Sequence, residues 1–194
     1  MKTLKEYLDD AAEAHGHLCA GQVLGVRMAM LGLKELGIDD PRGKDRKRLV
    51  TFVEIDRCAT DAIGVVTGCR LGKRSLKFRD WGKMAATFVD VVNNKAVRIA
   101  ARESSKDAAK SLHPEIENKN QQQMLGYREM ADDLLFDRQN VSVTLPPQEF
   151  PGFKSARIRC SKCGEGINFQ REVHSGEDTL CRACAGERYY EPIP

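Results

Sequence analysis

"RLVTFVEIDRCATDAIGVVTG", residues 48–68, decides the fold. Its first half, 48–56, is dense in β-branched and apolar residues and predicts a strand. Its second half, 60–68, predicts a short helix closed by Gly68. A strand that opens directly onto a helix places Cys58 in the connecting turn. There the free N–H groups and the helix dipole favour an anion, so a thiolate is expected at this position.

Working outward, Thr3 and Glu6 have capping-box spacing, and Leu4, Leu8, Ala11 and Ala12 recur at helical spacing, with Gly16 as the stop. A second helix is expected from about Ala20 to Leu36, ended by Gly37, followed by the polar loop "DDPRGKDRKR". Downstream, 75–81 and 83–92 read as strands with a turn at Gly82. Asn93-Asn94 signals a hairpin into "KAVRIAARE". Ser104 or Ser105 caps a short helix ending by His113-Pro114. A longer amphipathic helix is predicted over about 119–137, with Met124, Tyr127, Ala131 and Leu134 on one face. The proline-bearing stretch 141–156 reads as a semi-rigid linker. The expected architecture is therefore α+β, with helices packed on a mainly antiparallel sheet in a core domain over 1–150. A small treble-clef or zinc-ribbon module follows over 151–194.

That module carries the sharpest motif. Cys160 and Cys163 form one Cys-x-x-Cys pair, Cys181 and Cys184 another, with seventeen residues between them. Four thiolates on two knuckles close a tetrahedral shell and point to structural zinc, with iron as the rival. The intervening segment reads as a hairpin turning at Ser175-Gly176, and "AGERYYE" is expected to start a helix. His174 falls at the hairpin tip and is surplus to a four-thiolate shell. From Lys154 onward there are seven Lys/Arg and six Asp/Glu. This near-neutral balance argues against nucleic acid, which needs a positive face, and favours protein contact or fold stabilisation. A unit this small needs its metal to fold.

The chain has 194 residues, 41% of them apolar, and a formal charge of +3, so no strong electrostatic partner is implied. No run reaches the roughly 18 apolar residues of a membrane span. The acidic N-terminal stretch does not resemble a signal peptide. A cytoplasmic location is expected, with reduced cysteines.

"HGHLCAGQ" (15–22) holds two of the four histidines and one of the seven cysteines. Taken singly, Cys19, Cys58 and Cys69 fit a packing role as well as a chemical one, and His15 lies on the buried face of the first helix. The combination is more informative. His17 and Cys19, with His15, share one turn, and the strand brings in Cys58. Imidazole and thiolate suit zinc or another borderline-soft metal, with a position left open for water or substrate. In "TGCRLGKR" (67–74), Arg70 and Lys73 either hold an anionic group or belong to a solvated turn.

"HGHLCAGQVLGVRMA" and "CATDAIGVVTGCRLGKRSLKFRDWGKMAATFV" together resemble the E-subunit family of formylmethanofuran dehydrogenase, over roughly residues 10–137. The resemblance places the family's His-Gly-His-x-Cys element on His15, His17 and Cys19, and its Cys-x-x-Asp-Ala element on Cys58, Asp61 and Ala62. The Thr-Gly-Cys turn falls on Thr67, Gly68 and Cys69, and the Arg-Asp-x-Gly-Lys stretch on Arg79, Asp80, Gly82 and Lys83. It implies an α+β core, a homodimer and a cleft built from the histidine–cysteine turn and Cys58. It also implies an accessory role beside a formylmethanofuran dehydrogenase-type oxidoreductase. The parent enzyme's redox groups lie on its other chains, and this chain has no motif for them. One departure is Ala20, where the family commonly has proline. On this basis the cleft is expected to bind a second transition metal through His15, His17, Cys19 and Cys58. Cys58, Asp61 and Lys83 are its candidate catalytic groups, and Arg70 and Lys73 its contacts to a small anionic ligand. The alternative is a non-enzymatic adaptor or regulator that docks through the finger.

Overall fold

A computed structural model describes residues 1–193. The chain divides into two compact units, Met1–Thr144 and Leu145 onward.

In the first unit, helix α1 (Leu4–His15) begins at the Thr3 capping box. Glu6 N–H donates to the Thr3 hydroxyl at 3.3 Å, and Thr3 N–H donates to the Glu6 carboxylate at 2.8 Å. Gly16 ends the helix at φ +91°, a left-handed conformation that glycine adopts without steric cost. Helix α2 (Ala20–Leu36) follows after four residues and is closed by Gly37. Strand β1 (Leu49–Val53) leads into α3 (Cys58–Thr67). Then come β2 (Leu76–Phe78), β3 (Ala85–Asp90) and β4 (Lys95–Ala101). Helices α4 (Ser105–Leu112), α5 (Lys119–Glu129) and the single turn α6 (Asp132–Leu135) precede strand β5 (Phe136–Val141).

The five strands form one sheet in the order β2-β1-β3-β4-β5. Only β1 and β2 run parallel. The strands on either side of Gly82 are therefore not partners, because β1 lies between them. Helix α2 is nearly all buried, and two glycines let it approach its neighbours closely. A Cβ on Gly32 would sit 2.3 Å from the Phe88 ring of β3, and one on Gly25 would sit 2.4 Å from the Ala59 carbonyl of α3. The buried carboxylates at the sheet are paired. Arg98 grips the buried Glu54 carboxylate with two bonds of 2.7 Å, and Arg48 donates to buried Asp90 at 2.6 Å. Burial opposes ionisation of Asp90. Hydrogen bonds from Arg48, Asn93 and Val92 outweigh it and hold the carboxyl below its usual range.

The single helix expected over 119–137 is corrected. Helix α5 stops at Glu129, Met130 and Ala131 are extended, and residues from Phe136 form a strand. The stop has a tertiary cause. Arg27 on α2 donates to the carbonyls of Tyr127 and Arg128, at 2.7 and 3.3 Å, and to the Asp132 carboxylate at 2.6 Å. It thereby satisfies the helix's last acceptors. Leu134, expected on the buried face, is exposed, whereas Leu135 and Phe136 enter the core.

The second unit contains two small hairpins. Strands β6 (Ile158–Arg159) and β7 (Gly166–Ile167) flank the first knuckle. Strands β8 (Val173–Ser175) and β9 (Asp178–Leu180) turn at Gly176 and lead into the second. The helix expected from "AGERYYE" is absent among the described residues. Gly186, at φ +110°, redirects the chain immediately after the knuckle. The module is thus a zinc ribbon rather than a treble clef. Among the described residues, no helix is long and apolar enough to cross a membrane.

Candidate functional site: two sets of thiols

In the ribbon, the knuckles place the sulfurs of Cys160, Cys163, Cys181 and Cys184 within 4.8 Å of one another. The Cys163 and Cys181 sulfurs are 3.9 Å apart. Tetrahedral zinc with bonds of about 2.3 Å requires a similar sulfur spacing, so the residues present fit that ion. Backbone N–H groups of Cys163 and Cys181 pull the Cys160 thiol down to about 6. Cys184 is pushed up to about 12, first by its hydrogen bond to Cys181 and then by burial. Four crowded sulfurs cannot all ionise without a cation among them. Zinc held by these four sulfurs would supply that charge.

In the core, Cys19 caps α2 and Cys58 opens α3. They are brought together by Gly25, which leaves room for the start of α3 to lie against α2. A Cβ at Gly21 would lie 3.4 Å from Cys58 Cβ and 3.7 Å from Cys19 Sγ. The Gln22 side chain donates to the Cys58 carbonyl at 3.0 Å and ties the two ends together. Cys19, Cys58 and His17 line one cleft of ≈ 500 Å³, together with Arg57, Arg102 and Lys106. The lowered thiol expected for Cys58 is not found. Burial first, then the neighbouring Cys19, push its thiol up, against the opposing pull of backbone N–H. Among the described residues, only the ribbon gathers three or more metal-ligating side chains within 4.8 Å, so the core set is less preassembled.

The other sequence-predicted residues fall elsewhere. His15 ends α1 and holds the Asp61 carboxylate through Nδ1 at 2.9 Å, with its ring centroid 4.9 Å from that of His17. Cys69 is buried away from the cleft, accepting from the Thr51 hydroxyl at 3.5 Å. Asp61, Cys69 and Arg70 line a different cavity. Lys73 lies in a short 3₁₀ turn and is exposed. The Lys83 ammonium sits 5.9 Å from the centre of the Trp81 ring and does not line the cleft, although Gly82 and Met84 do.

Sequence reasoning missed Arg57, Arg102, Lys106 and Tyr127 as cleft residues. A signal for two of them was present. "ARESSK" runs from a strand into a helix, the same arrangement that singled out Cys58.

With this geometry in view, residues 14–141 match the model of the family described as "FmdE, Molybdenum formylmethanofuran dehydrogenase operon". The chain belongs to the FmdE family. Its ribbon, residues 153–190, matches the prokaryotic dksA/traR C4-type zinc finger. A relative in Archaeoglobus fulgidus, called a probable S-adenosyl-L-methionine-binding protein, is 33% identical over 92% of this chain. The chain spans about half (52%) of that relative's length. The solved structure of a tungsten formylmethanofuran dehydrogenase FmdE-like protein from Syntrophus aciditrophicus shares the fold. Its TM-score is 0.65 at 23% identity, covering 98% of this chain and 96% of that one. FmdE membership thus rests on the core, and the zinc-binding assignment on the ribbon.

Proposed function

We propose that this FmdE core binds a transition metal and a small anion in the thiol cleft, as an accessory module to formylmethanofuran dehydrogenase-type one-carbon chemistry. One observation carries the reading. Cys19, Cys58 and His17, from separate segments, line the same cleft. Two thiols and an imidazole suit zinc or a neighbouring borderline-soft ion, which would polarise a bound oxygen or carbonyl. Cys19 and Cys58 hold it, His17 completes the protein's donors, and His15 is kept in place by Asp61.

The anion half of the proposal rests on the cleft walls. The first turns of α2, α3, α4 and α5 all contribute lining residues. The caps of α2, α3 and α4 make no side-chain hydrogen bond to their first turn. The dipole ends of these helices favour negative charge, although in α4 the N–H groups of Ser105 and Lys106 already donate to the carbonyls of Arg102 and Glu103. Arg57 adds a full charge, as do Arg102 and Lys106, which are also paired with Asp137 and Glu103. These residues take the place of Arg70 and Lys73 as the anion contacts. The adaptor alternative keeps the ribbon as a docking element and needs no metal in the core.

The test is a metal count on the purified chain. Two metals per chain are expected in the wild type, one in Cys58→Ser, and one in Cys160→Ser. A single metal in both the wild type and Cys58→Ser would leave only the ribbon site.

A further inference from the structure

A second cavity, ≈ 780 Å³, opens between α1, α3 and the 67–74 turn. It is lined by Lys2, Arg42 and Arg70 on the cationic side and by Asp10, Glu13 and Asp61 on the anionic side, over an apolar floor that includes Val65 and Leu76. This volume is within the range of small-molecule sites.

Most of its charges are already matched. Lys2 is bonded to Asp10 at 2.6 Å, and Asp61 to His15 at 2.9 Å. Among the described residues, the side chains of Arg42 and Arg70 have no hydrogen-bond or ion-pair partner, and neither has the Glu13 carboxylate. Arg42 is close enough to Lys2 to oppose its charge, and the two guanidinium groups are the cationic groups of this concavity that no side chain of the protein has taken up. The position of Arg42 is built in. It packs on Gly68, the left-handed end of α3, where an added Cβ would meet its Cγ at 3.1 Å. Arg70 is presented by the same turn, its backbone N–H held by Ser75 at 3.2 Å. Planar, always-charged guanidinium groups are suited to bidentate contact with oxyanions.

We propose that this cavity is a second binding site, separate from the thiol cleft, which takes a small molecule bearing a carboxylate or phosphate between Arg42 and Arg70. Val65 and Leu76 receive the ligand's apolar body. Glu13 and Asp61 disfavour a highly charged polyanion. Asp61 lies in this cavity while holding His15, whose ring centre is 4.9 Å from that of His17 of the thiol cleft, so the cavity adjoins the histidine turn that borders the cleft.

Calorimetric titrations of the full chain with succinate and, separately, inorganic phosphate test the site and distinguish the two oxyanion sources. Saturable one-to-one binding of at least one probe is expected. Arg42→Gln and Arg70→Gln should each weaken it at least about tenfold, the scale of a lost charged hydrogen bond. Both arginines are on the surface, so folding should survive, and an unchanged circular dichroism spectrum checks this. Arg57→Gln, in the thiol cleft, locates the probe. Binding abolished there but retained in both Arg42→Gln and Arg70→Gln assigns the probe to the cleft and overturns the second site. Absence of saturable binding by either probe overturns it as well.

Discussion

In the ribbon, two thiols share each knuckle, and two short hairpins bring the knuckles face to face. In the core, Cys19 and Cys58 stand at the starts of different helices, which approach closely because α2 has glycine at position 25. The ribbon's four sulfurs lie within 4.8 Å of one another, while the core's donors share a cleft without that convergence. The difference concerns what holds each site. Ribbon geometry is written into local spacing and fixed by metal. Cleft geometry is a product of packing, so substitutions far from any sulfur can change it.

The largest expected effect is metal removal. A structural zinc contributes about 10 kcal/mol or more of apparent binding free energy to a small finger. Chelation should therefore abolish hydrogen-exchange protection across 158–187 while leaving β3 and β4 protected. Loss of protection in both units together would break the contrast. Next is Gly25→Val, which forces a side chain into the Ala59 backbone. Urea denaturation should show the core weakened by about 3 kcal/mol. Gly72→Ala, where an added Cβ meets nothing within 4 Å, should change stability by less than about 0.5 kcal/mol.

Acid should separate the two units. Protons compete with metal for thiolates, so the ribbon should lose its ion in mild acid. The core responds later. The Asp90 carboxyl is held below its usual range, so the stability it contributes is complete above the unfolded carboxylate value of about 3.9. That stability is lost as pH falls through the lower folded value. Hydrogen exchange followed against pH should show ribbon opening before core opening. A small effect is also expected for Asp61→Asn. Asp61 is 60% exposed, and its pair with His15 should be worth less than about 1 kcal/mol in thermal denaturation.

Much of this was readable from residue order. The Thr3–Glu6 capping box, the glycine stops at 16, 37 and 68, and the Asn93-Asn94 turn are local signals, and each marks an element end in the structure. The paired cysteines are equally local. What could not be read depended on partners distant in sequence. The break after Glu129 is held by Arg27, from about a hundred positions earlier. Arg70 lines a cavity with Arg42 rather than the cleft because the turn after α3 borders a different cavity from the start of the same helix. The helix predicted after Cys184 failed because a favourable composition was overridden by Gly186.

Anomalous diffraction from crystals of the full chain, collected across the transition-metal absorption edges, tests the account most directly. The expected map has one peak amid Cys160, Cys163, Cys181 and Cys184 and a second beside the sulfurs of Cys19 and Cys58, within bonding reach of His17. A map with the ribbon peak alone, from protein grown with zinc, nickel, cobalt and iron available, would contradict the proposed metal chemistry of the core.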